Sequence, residues 1–177
     1  GEFAGSGALG RTLTLTAAQF SSFGSISITP GKGNGIVTIA GGGTVSLLSS
    51  NVVQNAGANI VILGATGWEG TTLIGNNTCQ VLVASEFGND TLIAGSGVTY
   101  LYAGLGVDTL TGGTGGDTFY TAGNNYYLPN DGSGAVFFYG TQYSSNSGLA
   151  AGTVIQGAGT GNTLAAQGDI SGATISD

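Results

Sequence analysis

Between residues 66 and 120 the apolar positions return at a fixed interval. Leu73, Leu82, Leu92, Leu101, Leu110 and Phe119 are separated by 9, 10, 9, 9 and 9 positions. Two places before each stand Thr71, Gln80, Asp90, Thr99, Asp108 and Asp117, and two places before those stand Glu69, Thr78, Gly88, Gly97, Gly106 and Gly115. Three registers that keep phase over six units define a nine-residue repeat, with one extra residue, assigned to Ala84, in the longer gap. Such a unit divides into six residues of glycine-rich turn and three of strand, the middle strand residue pointing inward. Two units make one coil of about 18 residues, and coils stack at the strand spacing of about 4.8 Å. The expected fold is therefore all-β, a parallel β-solenoid of the β-roll or β-helix kind. Each inward leucine contributes about 2 kcal/mol only if neighbouring coils cover it, so such an array needs several coils and a cap at each end.

The flanks keep the strand-and-turn pattern at looser spacing. Runs rich in Thr, Val and Ile predict strands over 13–16, 25–29, 36–40, 45–48 and 60–63, separated by Gly and Asn clusters. The only helical pattern, from Thr16 to Phe23, is about two turns long and marginal by itself. An aromatic cluster (Tyr126, Tyr127, Phe137, Phe138, Tyr139, Tyr143) breaks the period over 124–147, and repeat-like sequence resumes at Gln156–Leu164. The expected organisation is 4–63 as solenoid coils with longer strands, 64–123 as the nonapeptide roll, and 124–177 as an aromatic-rich insertion or cap followed by further coils. Residues 1–3 read as a cloning remnant. The final stretch, Gly168–Ile175, shows no cap, which predicts neighbouring repeats in a longer parent chain.

Glycine supplies 36 of the 177 residues without a G-X-Y period and with two prolines, which excludes collagen. With charged residues at only 6% and mean hydropathy at +0.28, disorder is a poor reading and many tight turns a good one. Two basic residues, Arg11 and Lys32, face nine acidic ones, for a net charge of −7. Nucleic acid and anionic membrane surfaces are disfavoured as partners, because both need clustered Lys or Arg, and a cation suits the balance. No apolar run is long enough to span a membrane, so no membrane insertion is expected. Cys79 is alone and reads as a small apolar filler. The chain has no histidine, so Ser-His and Cys-His nucleophiles and histidine-based zinc sites are excluded, and no enzyme is expected.

The segments Gly112-Gly113-Thr114-Gly115-Gly116-Asp117-Thr118-Phe119-Tyr120 and Ala103-Gly104-Leu105-Gly106-Val107-Asp108-Thr109-Leu110-Thr111 carry the next step. Together with Gly88-Asn89-Asp90-Thr91-Leu92, they resemble the repeats-in-toxin (RTX, haemolysin-type) nonapeptide G-G-x-G-x-D-x-U-x, in which U is apolar. A fourth unit, 94–102, keeps the frame with Thr99 at the aspartate position. The resemblance covers residues 85–120, about a fifth of the chain. It implies a parallel β-roll with calcium held in the turns, where glycines aim carbonyls and aspartates supply carboxylates. The implied metal ligands are Asp90, Asp108 and Asp117 with the backbone of Gly88, Gly97, Gly104, Gly106 and Gly115. Turns alternate sides, so the implied complete site pairs Asp90 with Asp108, whereas Asp117 meets the uncharged Thr99. Two carboxylates roughly 5 Å apart would repel by about 3 kcal/mol at an effective dielectric near 20, so calcium is expected to stabilise this region.

The expected function is thus a calcium-binding β-roll segment of a larger bacterial repeat protein, similar to surface adhesins exported by a type I route. Its expected place is extracellular or at the cell surface, with calcium-dependent folding, and its expected partners are calcium, extracellular polysaccharide or a cell surface. The alternative is a carbohydrate-binding or carbohydrate-active parallel β-helix module. Tyr100, Tyr102, Tyr120, Tyr126, Tyr127 and Trp68 would offer aromatic surface to sugars or cover the end of the roll, and Asp90 with Asp108 would be a paired-acid site. Asp and Asn after Gly are also ordinary turn residues that bond their own backbone.

Overall fold

A computed structural model describes residues 2–3, 12–28, 35–49, 52–54, 61–77, 80–97, 99–121, 149–166 and 169–176. Cys79, Arg11, Lys32 and the aromatic stretch 124–147 lie outside the described residues. In chain order the elements begin with β1 (Glu2–Phe3), β2 (Thr12–Leu15), α1 (Ala17–Ser22), β3 (Ile26–Ile28), β4 (Gly35–Ala40), β5 (Gly43–Ser46), β6 (Val52–Gln54), β7 (Val61–Thr66) and β8 (Thr71–Ile74). They continue with β9 (Gln80–Val83), β10 (Thr91–Ile93), β11 (Thr99–Tyr102), β12 (Thr109–Thr111), β13 (Thr118–Tyr120), β14 (Val154–Gln156), β15 (Thr163–Ala165) and β16 (Thr174–Ser176).

These strands wind into a parallel β-solenoid. One sheet of six runs β16-β14-β12-β10-β8-β5, and a second of seven runs β15-β13-β11-β9-β7-β4-β2. From β7 onward successive strands alternate between the two sheets, so every other strand pairs in parallel register: Leu92 opposes Leu73 on one side and Leu110 on the other, and Leu101 opposes Leu82 and Phe119. The rungs expected from the sequence are the middle residues of the three-residue strands β10, β12 and β13 and the third residues of the four-residue strands β8, β9 and β11. Leu73, Leu82, Leu92, Leu101 and Leu110 are fully buried, and with Phe119 and Ile155 they form one continuous core.

The first coils are three-sided. A third parallel sheet, β1-β3-β6, adds a wall that the nine-residue frame does not predict, and Glu2 and Phe3, read above as foreign, pair with Ser27 and Ile28. The short helix does form. Thr16 caps it reciprocally with Gln19, the Thr16 side chain accepting the Gln19 N–H and the Gln19 side chain accepting the Thr16 N–H. Helix α1 lies beside β5, the last strand of the six-stranded sheet, where Gly43 leaves room for Ala17, and it buries Phe20 in the core. It therefore covers the N-terminal edge of that sheet, a position where an open strand would template pairing.

The extra residue in the repeat does not enter at Ala84. Ala84 follows the Val83–Tyr102 pair, and its N–H bonds the Tyr102 carbonyl just as the Ala103 N–H bonds that of Tyr120, so Ala84 and Ala103 are equivalent. Gly104 then stacks on Ser85 but Gly106 on Gly88, which places the additional residue at Glu86-Phe87. The core side of the turn stays in phase while the longer turn swells outward, where Phe87 is exposed.

Candidate functional site

Residues two places before the rungs form a polar column on each side of the solenoid, buried except at the half-buried Asn162. On the side of the six-stranded sheet it contains Thr71, Asp90, Asp108 and Thr153, and on the other Thr99, Asp117 and Asn162. In each column a side chain of one coil accepts the backbone N–H of the equivalent residue one coil earlier. Asp90 accepts from Thr71 at 2.7 Å, Asp108 from Asp90 at 2.8 Å, and the Thr153 hydroxyl from Asp108 at 3.2 Å. Opposite, Asp117 accepts from Thr99 at 2.8 Å and Asn162 from Asp117 at 3.1 Å.

The second oxygen of each carboxylate closes its own turn. Asp108 Oδ2 accepts the Gly104 N–H at 2.8 Å and Asp117 Oδ2 the Gly113 N–H at 2.7 Å. Asp90 Oδ2 takes the Ser85 N–H and hydroxyl, both at 2.6 Å. These amides begin the glycine turns and point inward, so the aspartates tie each turn to itself and to the preceding coil. All three aspartates are at most 1% exposed.

Burial of charge has a measurable consequence. Burial pushes the Asp108 carboxyl from 3.8 to about 7; its amide bonds from Asp90 and Gly104 hold it down, and the Asp90 charge adds to the rise. Burial also raises Asp117, opposed by its bonds from Gly113 and Thr99. The Thr71 hydroxyl, buried at the head of the first column, has no hydrogen-bond partner among the described residues.

The glycines of the expected ligand set frame these carboxylates. A Cβ on Gly104 would run into the Ser85 carbonyl, and one on Gly106 into that of Gly88, with the Phe87 carbonyl at 3.1 Å. At Gly88 a Cβ would lie 2.8 Å from the Glu69 carbonyl and 3.4 Å from Asp90 Oδ1. Glycine is required here by close approach of backbone between coils. The Gly106 and Gly97 carbonyls accept the hydroxyls of Thr153 and Thr99, each at 3.4 Å, and Gly115 is half-buried in the turn before Asp117.

Asp90 and Asp108 thus share a column one coil apart, with Gly88, Gly104 and Gly106 beside them, whereas Asp117 stands opposite with neutral neighbours. Thr153 and Asn162 belong to the same two columns and are not among the sequence-derived candidates. Both lie 45 residues after their partners, where the coil repeat is 18, so the residues between Asp117 and this pair hide the continuation. The donor set is all oxygen, which matches a hard cation such as calcium in kind. Among the described residues no cluster of three or more acidic, cysteine or histidine side chains could hold a metal, so most ligands would come from carbonyls. Comparison with family models, with curated proteins and with solved structures finds no match to this chain.

Proposed function

We propose that the chain is a structural, non-catalytic β-solenoid segment of an extracellular or cell-surface repeat protein of the RTX type, adhesin-like, whose turns bind calcium through the Asp90–Asp108 column. One observation carries the reading. At the same register Thr153 and Asn162 accept the amide hydrogen with neutral side chains, so clamping one coil to the next needs an acceptor and not a charge. Buried aspartates at 90 and 108 cost the fold a charge desolvation that threonine or asparagine would avoid. A cation bound to those carboxylates offsets that cost. Asp90 and Asp108 would supply charge, and carbonyls around Gly88, Gly104 and Gly106 neutral oxygens. Linkage of calcium to folding then suits export by a type I route from a low-calcium cytoplasm.

A second reading has its own support. Every oxygen of the three carboxylates already accepts a hydrogen at 2.6–2.8 Å, which suffices for a metal-free scaffold clamped by aspartates. Melting in calcium and in EDTA separates the two. A calcium site raises stability by about 2.7 kcal/mol when calcium exceeds its dissociation constant a hundredfold. The calcium-dependent part should fall more in Asp108→Ala than in Asp117→Ala. Equal melting temperatures in calcium and EDTA, with no heat in a calcium titration, leave the scaffold reading alone.

A further inference from the structure

Trp68, the only tryptophan of the chain, is 76% exposed, more than any other large apolar side chain among the described residues. Its indole lies flat on the Phe87 ring of the next coil, with centroids 4.4 Å apart and planes inclined by 12°. Both residues sit in the turns between the two main sheets. Across each of these turns the paired registers are ten positions apart, Leu63 to Leu73 and Leu82 to Leu92, where the next turn has nine, Leu101 to Leu110. The longer turns project the aromatic pair outward without disturbing the rungs behind them.

The turn one coil before Trp68 is Gly41-Gly42-Gly43, all three with positive φ (79°, 70° and 100°). It packs against the Trp68 turn, because a Cβ on Gly42 would lie 2.9 Å from Glu69 Cβ and one on Gly67 would lie 3.9 Å from the Gly41 nitrogen. A glycine turn brings no side chain to cover the indole. The stack is therefore backed on one side by Phe87 and faces a bare backbone ledge on the other. Exposed Glu69 stands next to the indole, and half-buried Glu86 adjoins Phe87.

We propose that Trp68, backed by Phe87 and open over the Gly41–Gly43 ledge, is a stacking platform for the apolar face of a neutral sugar ring. An indole face takes the C–H side of a pyranose, and the adjoining residues Glu69 and Glu86 carry carboxylates, groups that accept sugar hydroxyls. The same carboxylates, in a chain of net charge −7, repel polyanions and anionic lipid surfaces, which leaves an uncharged polyol as the fitting occupant. The flat, pre-stacked geometry limits the ordering cost of binding. This platform is independent of calcium in the turns, and its test is run in saturating calcium and again in EDTA at a temperature where circular dichroism shows the fold intact.

Because Trp68 is the sole tryptophan, its emission reports the platform directly. Titration with neutral hexasaccharides (cellohexaose, laminarihexaose and the N-acetylglucosamine hexamer) is expected to give a saturable change in tryptophan emission with at least one of them. Phe87→Ala keeps the reporter and removes its backing, and should weaken binding by about tenfold, as expected for one aromatic stacking pair. Trp68→Ala, followed by calorimetry, should abolish binding with an unchanged circular dichroism spectrum. Emission that stays unchanged up to roughly 10 mM of all three sugars, which places any Kd well above about 1 mM, overturns the proposal. So does sugar binding that survives Trp68→Ala, and so does an emission change produced only by proline-rich peptides or by phosphatidylcholine vesicles.

Discussion

Replacing Asp108 by alanine sets two opposing effects against each other. The side chain accepts the Asp90 and Gly104 N–H groups, each at 2.8 Å, and both residues are buried. A buried donor left without an acceptor costs about 1–3 kcal/mol, so loss of both bonds costs roughly 2–6 kcal/mol. Against this stands the charge itself, since burial raises the Asp108 carboxyl from 3.8 to about 7. With the folded value above the unfolded one, the folded chain holds more protons between the two. Stability contributed by the protonated group is then complete below about pH 4 and is lost as pH rises to about 7. That rise corresponds to roughly 4 kcal/mol, or about 10 °C in melting temperature for a chain of this length. Asp117, raised by burial as well, acts in the same direction. Urea denaturation in EDTA at pH 4.5 and pH 8 is the assay. The parent chain should lose several kcal/mol across that interval, while Asp108→Ala starts lower and falls less, so the two curves converge at high pH. Parallel pH dependences in parent and variant would refute the burial argument. Saturating calcium, which binds the ionised carboxylate under the proposed function, should flatten the parent's slope.

Three further substitutions test the packing that holds the turns and rungs. Gly104→Ala would push a Cβ into the Ser85 carbonyl, which is backbone and cannot swing aside, so a loss of about 3 kcal/mol or more is expected. Gly24→Ala, whose Cβ would meet nothing within 4 Å, should change stability by less than about 1 kcal/mol in the same urea titration. Leu92→Ala empties a fully buried rung between Leu73 and Leu110 and should cost about 2–5 kcal/mol, with an unchanged circular dichroism spectrum at low temperature.

The rungs and the polar registers were legible because the solenoid imposes a strict count on them. Leu73 through Phe119 must all reach one core, and any slip of one residue would turn a rung outward. The two-residue offset of Asp90, Asp108 and Asp117 from their rungs is bound to the same count, and the structure brings all three into the columns that the offset implies. The N-terminal coils were less legible. There the third wall, formed by β1, β3 and β6, has no fixed interval to the others, and Val52-Val53-Gln54 offers only three residues without a periodic neighbour. Helix α1 was legible only as a marginal two-turn pattern from Thr16 to Phe23; the Thr16–Gln19 cap that holds it and the β5 edge it lies against are seen in the fold.

The position of the extra residue shows where counting stops being enough. Leu82 and Leu92 are ten residues apart whichever residue between them is additional, so the apolar pattern alone tolerates an insertion anywhere in that turn. Pairing of Ala84 with Ala103, and of Gly88 with Gly106, confines the insertion to Glu86-Phe87 because those glycines admit no Cβ between the stacked backbones. An extra residue at the inner end of the turn would have moved Ser85 out of reach of Asp90, whose carboxylate takes both its N–H and its hydroxyl at 2.6 Å. The polar ladder therefore confines variation to the outer rim of the turn, and the outer rim is where Phe87 meets Trp68. Stability and surface chemistry are separated within a single turn: the inner residues are held by coil-to-coil amide bonds, and the outer ones are free to carry a binding surface.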